Sequence, residues 1–244
     1  MFPIHIGTAG WSVPRQYFDE FPQTGTHLER YAQVLSCVEI NSSFYRSHRI
    51  ATWAKWAESV PGNFRFSVKA PKTITHEANL ACSSEQLKNF LTEAETLADK
   101  LGPILFQLPP KSAFNRKIAE VFFTLLRNQY SGPILFEPRH PTWFTAETDQ
   151  LLQQFHVARV AADPAPVTEA AIPGGWNKFI YYRFHGSPRM YYSGYTRTFL
   201  QSLATTIAHQ RQVAETWCIF DNTASGAALG DSQTLKHLLA SGLI

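Results

Sequence analysis

Eight short β-branched or aromatic runs, room for a helix between most of them, and a length of 244 residues predict an α/β fold. The expected architecture is a single-domain TIM (β/α)8 barrel over residues 1–244, with parallel strands inside and helices outside, for which ~250 residues is typical. The runs are His5–Gly7, Cys37–Asn41, Phe64–Lys69, Ile104–Gln107, Ile134–Glu137, Arg159–Ala162, Phe179–Phe184 and Trp217–Asp221. Almost every run ends in a polar or charged residue, and in such a barrel the carboxyl ends of the strands form the active face.

The connections follow in order. After the first run comes Thr8-Ala9-Gly10-Trp11, then an aromatic loop with Pro14, Tyr17, Phe18 and Phe21. Residues 26–36 place Leu28, Tyr31 and Leu35 on one helical stripe behind Thr26 as the cap. A loop with Phe44 and Tyr45 follows the second run, and a helix over about 50–58 stops before Pro61-Gly62. The third run leads into Ala70-Pro71-Lys72-Thr73-Ile74-Thr75-His76, a polar loop of the kind that carries function. Ser83-Ser84-Glu85-Gln86 opens a helix expected to reach Leu101, where Gly102-Pro103 stops it. Helices are also predicted near 115–128, over 145–155, over 197–213 and over about 231–240, while 164–177 lacks periodicity and reads as loop.

Composition narrows the function classes. An apolar share of 44% is enough for a large core, and a charged share of 17% argues against disorder or a coiled coil. The net charge of +3 admits an anionic ligand, but there is no dense basic run of the sort that coats nucleic acid. The three cysteines, Cys37, Cys82 and Cys218, lack metal-ligand spacing, and two of them fall in strands as small apolar residues. The start of the chain enters a strand without a signal-peptide pattern, and no stretch of about 20 apolar residues occurs, so a cytoplasmic protein without membrane partners is expected.

Strand periodicity selects the candidate site. Alternate residues point into the lumen, so Cys37, Glu39 and Asn41 share one face, as do Arg65, Ser67 and Lys69. Leu135, Glu137 and Arg139 form another such set, with Tyr181, Arg183 and His185, and Trp217, Ile219 and Asp221. The inward polar set is Glu39, Lys69, Gln107, Glu137, Arg139, Asp163, Arg183, His185 and Asp221, with Asn41 and Asn222 beside it. A buried ion-pair network would look the same in sequence, but burying so many ions is costly unless a ligand is served.

Two chemistries suit this set. Carboxylates and a histidine on neighbouring strand ends can hold a divalent metal, although Lys69, Arg139 and Arg183 would already neutralise them and no HxH or HExxH occurs. No resident cofactor is therefore predicted; a divalent metal is admissible, with no ligand set assigned. The alternative is an anion or sugar site, in which Lys69, Arg139 and Arg183 hold the anionic group. Glu39, Glu137 and His185 would then be the catalytic acid/base groups. Trp11, Asn41, Tyr45, Gln107, Asp163, Asp221 and Asn222 join the binding set, and Trp143 is a further candidate for ring stacking. Glu39 and Glu137 also raise glycoside hydrolysis, and His76 and His140 are loop histidines able to act as acid or base or as ordinary turn residues. No GxSxG elbow, P-loop or GxGxxG occurs.

Val38-Glu39-Ile40-Asn41-Ser42-Ser43-Phe44-Tyr45 with Trp53, Phe64-Arg65-Phe66-Ser67-Val68-Lys69-Ala70-Pro71 and Ile74-Thr75-His76 resemble motifs of the DUF72 (YecE-like) family. So do Leu101-Gly102-Pro103, Gln107-Leu108-Pro109-Pro110, Glu137-Pro138-Arg139-His140 with Trp143, Asp163, Arg183-Phe184-His185-Gly186 and Phe220-Asp221-Asn222. The resemblance spans nearly the whole chain and implies a TIM barrel, but it implies no activity, since the family is described as uncharacterised. Ser43 stands where the family usually shows threonine, and Ser225–Asp231 diverges from an expected asparagine-rich loop.

The expectation is an enzyme, whether hydrolase, lyase or isomerase, acting on a small anionic or phosphorylated sugar-like metabolite. Nucleic-acid processing, with a rim of Arg46, His48, Arg49, Lys72 and Arg189, is the alternative, followed by a non-catalytic sensor or partner-binding protein.

Overall fold

In the computed structural model, which describes residues 1–241, the expected runs become a ring of parallel strands. These are β1 (Ile4–Ala9), β2 (Cys37–Ile40), β3 (Arg65–Lys69), β4 (Leu101–Gln107) and β5 (Ile134–Glu137). They continue as β6 (Val157–Arg159), β7 (Ala161–Asp163), a two-residue β8 (Gly174–Gly175), β9 (Phe179–Phe184) and β10 (Glu215–Phe220). The ladder order is β7-β9-β10-β1-β2-β3-β4-β5-β6-β8. The sixth run supplies both β6, which pairs with β5, and β7, which pairs with β9. Val160 joins them and donates its N–H to the Phe136 carbonyl at 2.9 Å, so one run closes the barrel by changing partners midway.

The outer layer is α1 (His27–Ala32), α2 (Ser42–Tyr45), α3 (Ile50–Glu58), α4 (Ser84–Glu95), α5 (Arg116–Gln129), α6 (Ala146–Gln154), α7 (Arg197–Gln210) and α8 (Ala227–Ala240). Side-chain caps set several starts: Thr26 closes a reciprocal capping box with Glu29, and Ser83, Asn115, Thr145 and Thr196 each accept from a backbone N–H three residues on. Apolar faces of α1 and α3–α6 pack on β2–β5, and those of α7 and α8 pack on β9, β10 and β1. No helix among the described residues is long and apolar enough to cross a membrane.

Three expectations are corrected here. First, α4 ends at Glu95, and Gly102 and Pro103 lie inside β4 rather than stopping a helix. The β3–β4 register shifts there, which tolerates a proline without an N–H. A Cβ on Gly102 would come 2.7 Å from the Trp217 ring, so glycine is what lets that indole into the lumen. Second, α8 starts at Ala227, four residues earlier than expected, because Gly226 takes a left-handed φ of 82° and the Asn222 carbonyl accepts from Ala228 N–H.

The third correction is 164–177, which holds a 3-10 turn (Thr168–Ala171) and β8, antiparallel to β6. Buried Arg159 clamps this segment. Its guanidinium donates to both Asp149 oxygens of α6, at 2.8 and 3.1 Å, and to the Glu169 carbonyl. Between β7, β9, residues 171–173 and α7 lies a groove of about 380 Å³.

Candidate active site at the barrel mouth

Residues of one parity fill the lumen from the floor upward. Trp217, fully buried, stacks against Phe179 and Tyr181 at 6.3 and 6.0 Å between centroids and lies 4.4 Å from the His5 ring. Cys37, Leu105, Leu135, Ala158, Val160 and Ile219 complete the apolar plug. Above it the lumen turns polar, because the same period of two now reaches the charged strand ends.

Arg183 is the hub of that polar layer and has no exposure to solvent. Its Nε and Nη2 donate to the two oxygens of Glu39, at 3.0 and 2.6 Å. Nη1 donates to Glu137 Oε2 at 2.7 Å, and Nη2 also reaches Asp221 Oδ2 at 3.1 Å. One guanidinium thus joins carboxylates from β2, from β5 and from the turn after β10. The planar fork suits this, since its donors point in fixed directions and match carboxylate geometry. Burial opposes the Arg183 charge, but Glu39, Glu137 and Asp221 hold its pKa well above the ordinary value.

A second tier closes over the hub. Glu137 Oε1 accepts from Gln107 Nε2 at 2.9 Å and from Arg139 Nε and Nη2 at 3.0 and 2.8 Å. Arg139 Nη2, which can only donate, lies 2.9 Å from His185 Nε2. That nitrogen is therefore the acceptor, and His185 Nδ1 carries the proton given to Asp221 Oδ2 at 3.0 Å. The Tyr181 hydroxyl donates to Glu39 Oε2 at 2.9 Å and lies 2.9 Å from Ser67 Oγ.

Electrostatics follow the contacts. Burial works against ionised Glu137, but the Arg183 and Arg139 guanidiniums hold its carboxyl well below the usual range. Burial likewise opposes ionised Asp221, and Arg183 and the His185 hydrogen bond hold it below. These groups couple folding to pH with a definite sign: stability they contribute is present above the unfolded carboxyl range near ~4 and is lost as pH falls through their depressed folded values. Urea unfolding should show a steep loss of stability below about pH 4. In Glu137→Gln the decline should be shallower; an unchanged slope would show that Glu137 is not charged in the folded protein.

Lys69 stands apart from this web. It ends β3, keeps 9% exposure, and its Nζ has no ion-pair or hydrogen-bond partner among the described residues. The ammonium sits 4.3 Å from the centre of the Phe44 ring. Burial first, then the Arg183 charge, push its pKa down to about 8, although Glu39, Glu137 and Asp221 pull the other way. Ser43 fixes the backbone there, with Oγ 2.7 Å from the Lys69 carbonyl and 3.0 Å from that of Ile40. The departure from threonine therefore keeps the hydroxyl. His76, from the π-helical turn Thr73–Glu77, packs its ring 4.9 Å from Phe44. Its pKa is lowered by burial and by Lys69, Arg139 and Lys111.

Glu39, Lys69, Gln107, Glu137, Arg139, Arg183, His185 and Asp221 thus gather at one end of the lumen, in the arrangement that period-two reading gives. Asp163 does not point inward as expected. It pairs in register with outward-facing Phe184, while Ala162 pairs with Arg183, and its Oδ2 accepts from the Tyr195 hydroxyl at 2.7 Å. Parity runs unbroken through the change of partner, with Ala158, Val160 and Ala162 on the inward face, so Asp163 falls on the outward one. Asn222 is fully buried behind the mouth, where it donates to Asp231 and to the Ser193 carbonyl. Asp231, in the divergent segment, thus tethers the turn after β10 and also accepts from Tyr195 N–H.

The aromatic candidates divide. Trp11 lies edge-on to Trp56 at 5.2 Å in the helix layer, and Tyr45 is 73% exposed on α2. Trp143 is buried, with Nε1 donating to the Ser112 carbonyl, so it packs rather than presenting a face. Asn41 is half-buried at the end of β2, and its Oδ1 is shielded from solvent without a hydrogen-bond partner. Ser67, Tyr181 and Phe44 were outside the expected binding and catalytic set, and His76 was expected only as a loop histidine able to act as acid or base or as an ordinary turn residue. The first two lie on the inward parity one layer down, which is the signal that would have found them.

The arrangement limits the chemistry. Glu39 and Glu137 share one guanidinium, and ionised Glu137 cannot serve as the protonated acid that a glycosidase pair needs. A cation among the three carboxylates would have to displace Arg183, and no group of three metal-binding side chains occurs among the described residues. What remains available at the mouth is the Lys69 amine, the outer face of Arg139 and His76.

These features define a TIM-barrel protein whose polar site lies at the carboxyl ends of its strands. Residues 5–243 match the family described as "Protein of unknown function DUF72", and the chain belongs to that family. It is 33% identical over 176 residues to UPF0759 protein YecE of Escherichia coli K12, a match covering 68% of this chain and 61% of YecE. The matched stretch is therefore under two thirds of that relative's own length. UPF0759 protein YunF of Bacillus subtilis is 23% identical over 269 residues, covering 97% of this chain and 94% of YunF. Crystal structures of DUF72 family proteins share the fold: one from Enterococcus faecalis V583 has a TM-score of 0.82 at 21% identity, covering 98% of this chain and 96% of that one. One from Thermotoga maritima MSB8 has a TM-score of 0.78 at 25% identity, covering 97% and 99%.

Proposed function

We propose that this protein is an enzyme acting on a small anionic, sugar-like metabolite at the C-terminal face of its barrel. The observation that carries the reading is the ordering of charge along the barrel axis. Glu39 and Glu137 lie at the bottom without solvent access, whereas the groups above them that keep some exposure are the unpartnered Lys69, Arg139 and Asp221, whose Oδ2 is already engaged by Arg183 and His185. His76 lies within electrostatic range of Lys69, Arg139 and Lys111. An anion entering the mouth meets the Lys69 ammonium and the Arg139 guanidinium, whose Nε and Nη2 are held by Glu137 and His185 and whose Nη1 is left to donate to a carboxylate or phosphate. The unsatisfied Asn41 Oδ1 suits a donor such as a sugar hydroxyl, since a buried acceptor without a partner is costly.

In this reading Glu39, Glu137 and Asp221 hold Arg183 and His185 in place. Lys69, whose pKa is pushed down to about 8, and His76 take the proton transfers. An anion that draws Arg139 away from His185 frees the Nε2 lone pair, and Asp221 already fixes the tautomer.

The test is a thermal-shift screen with sugar phosphates, sugar acids, nucleotides and short oligonucleotides on wild type and Lys69→Met. A ligand at a hundred times its dissociation constant should add ~2.7 kcal/mol of stability. The expected result is a rise in Tm with one class of small anion. In Lys69→Met that rise is lost, while the unliganded Tm is unchanged or higher because a partly desolvated charge has been removed. A shift with oligonucleotides alone, falling steeply with salt, would replace this reading with nucleic-acid processing. Silence with every small anion would overturn it.

A further inference from the structure

We propose that Lys69 is a covalent nucleophile that forms an imine with a carbonyl carbon of its substrate, so that the ligand class is an anionic aldehyde or ketone. This deepens the preceding reading and rests on it for the anion. Three features set Lys69 apart from the other lysines. It ends a barrel strand at the active face, its side chain is largely enclosed, and no carboxylate ties up its Nζ. Lys100 is the informative contrast. It is equally buried at 8% exposure, but its Nζ donates to the Gly62 carbonyl at 2.8 Å and lies 3.5 Å from Asp99.

An imine-forming lysine must lose its proton without losing its lone pair to a neighbour. The surroundings of Lys69 meet both demands. Arg183 of β9 disfavours the ammonium from below, on top of desolvation, and the three carboxylates that would favour it are engaged by Arg183. Phe44 supplies the apolar wall, and His76, whose pKa is also lowered, leans on the same ring. Arg139 stands at the mouth to hold the anionic end of the ligand.

The step balances with no redox partner. The Nζ lone pair adds to the carbonyl carbon, the C=O π bond opens, and one Nζ proton passes to the oxygen to give a carbinolamine. The C–O bond then breaks, the second Nζ proton leaves with the hydroxyl as water, and the C=N bond forms. His76 is the group placed to relay those protons.

The experiment uses glyoxylate, the simplest anionic aldehyde, with cyanoborohydride to reduce the imine to a stable carboxymethyl-lysine, followed by peptide mass spectrometry. At pH 7 an amine titrating near 8 is in free form about two hundred times more often than an ordinary lysine near ~10.4. Lower basicity offsets part of that advantage, so Lys69 should be modified at least about tenfold faster than exposed lysines such as Lys55 and Lys111. Its rate should level off above pH 8 while theirs keep rising. Lys100 should be the slowest. The groups facing Lys69, namely Arg183, Glu39, Glu137, Asp221, Arg139 and His76, are unaltered in this comparison. Modification of Lys69 no faster than that of exposed lysines would overturn the imine. If it fails while the Lys69-dependent thermal shift persists, the anion site stands without the covalent step; if both fail, the enzyme reading falls with it.

Discussion

Arg183→Ala is expected to cost the fold about 3–5 kcal/mol, the range for removing one partner of a buried ion pair. The side chain is wholly enclosed and is shared by Glu39, Glu137 and Asp221, so the substitution strands carboxylates from three parts of the ring. Net stability of a domain is about 5–15 kcal/mol, and the variant should unfold at a much lower urea concentration. Its pH profile should also move. Without the guanidinium, the burial that opposes ionised Glu137 and Asp221 loses its main counterweight and raises their carboxyl pKa values above the unfolded ones. The variant is then relatively more stable below those raised values and loses ground as pH climbs through them, so its optimum shifts to acid while wild type declines there. Arg183→Lys should fall between the two, because an ammonium keeps the charge and loses the fork. A variant that matches wild type in urea at pH 7 yet loses ligand response would show that Arg183 serves binding and not the architecture.

Trp217→Ala should cost a similar amount, about 3–5 kcal/mol, by a different route. Here the loss is transfer free energy plus a cavity on the barrel axis, ringed by His5, Phe179 and Tyr181, which are anchored in strands and cannot collapse inward. The cavity lies under the ring whose hydroxyl holds Glu39, so the floor and the ion cluster are mechanically linked. Urea unfolding of Trp217→Ala and Trp217→Phe would check this, with the phenylalanine variant expected to retain much of the loss. A cost under about 1 kcal/mol for the alanine variant would mean that the strands close over the gap, contrary to close packing of the lumen.

The site was legible to different degrees, for reasons visible in particular residues. Glu39, Lys69, Gln107, Glu137, Arg183 and Asp221 end regular strands, where parity alone separates lumen from helix layer. Asp163 sits on the opposite parity from Ala158, Val160 and Ala162, so its polar character at a strand end, and not its register, had suggested an inward position. Chemical roles were less legible than positions: Glu137 and Glu39 read as an acid/base pair, but their shared guanidinium appears only when β2, β5 and β9 are brought together.

Local chemistry, written in consecutive residues, was enough for the barrel, its run of strands, the Thr26 and Ser83 caps and the inward polar set, because side-chain period and capping act over a few positions. Contacts across the ring were a matter for the folded chain. Arg183 meets Glu39 across 144 positions and Glu137 across 46, and Trp217 enters the space that Gly102 leaves open. Which amine stays unpaired is likewise a property of the closed ring. Lys69 is one of several cations in the sequence, and it is free because Arg183, from the far side of the lumen, reaches the carboxylates first.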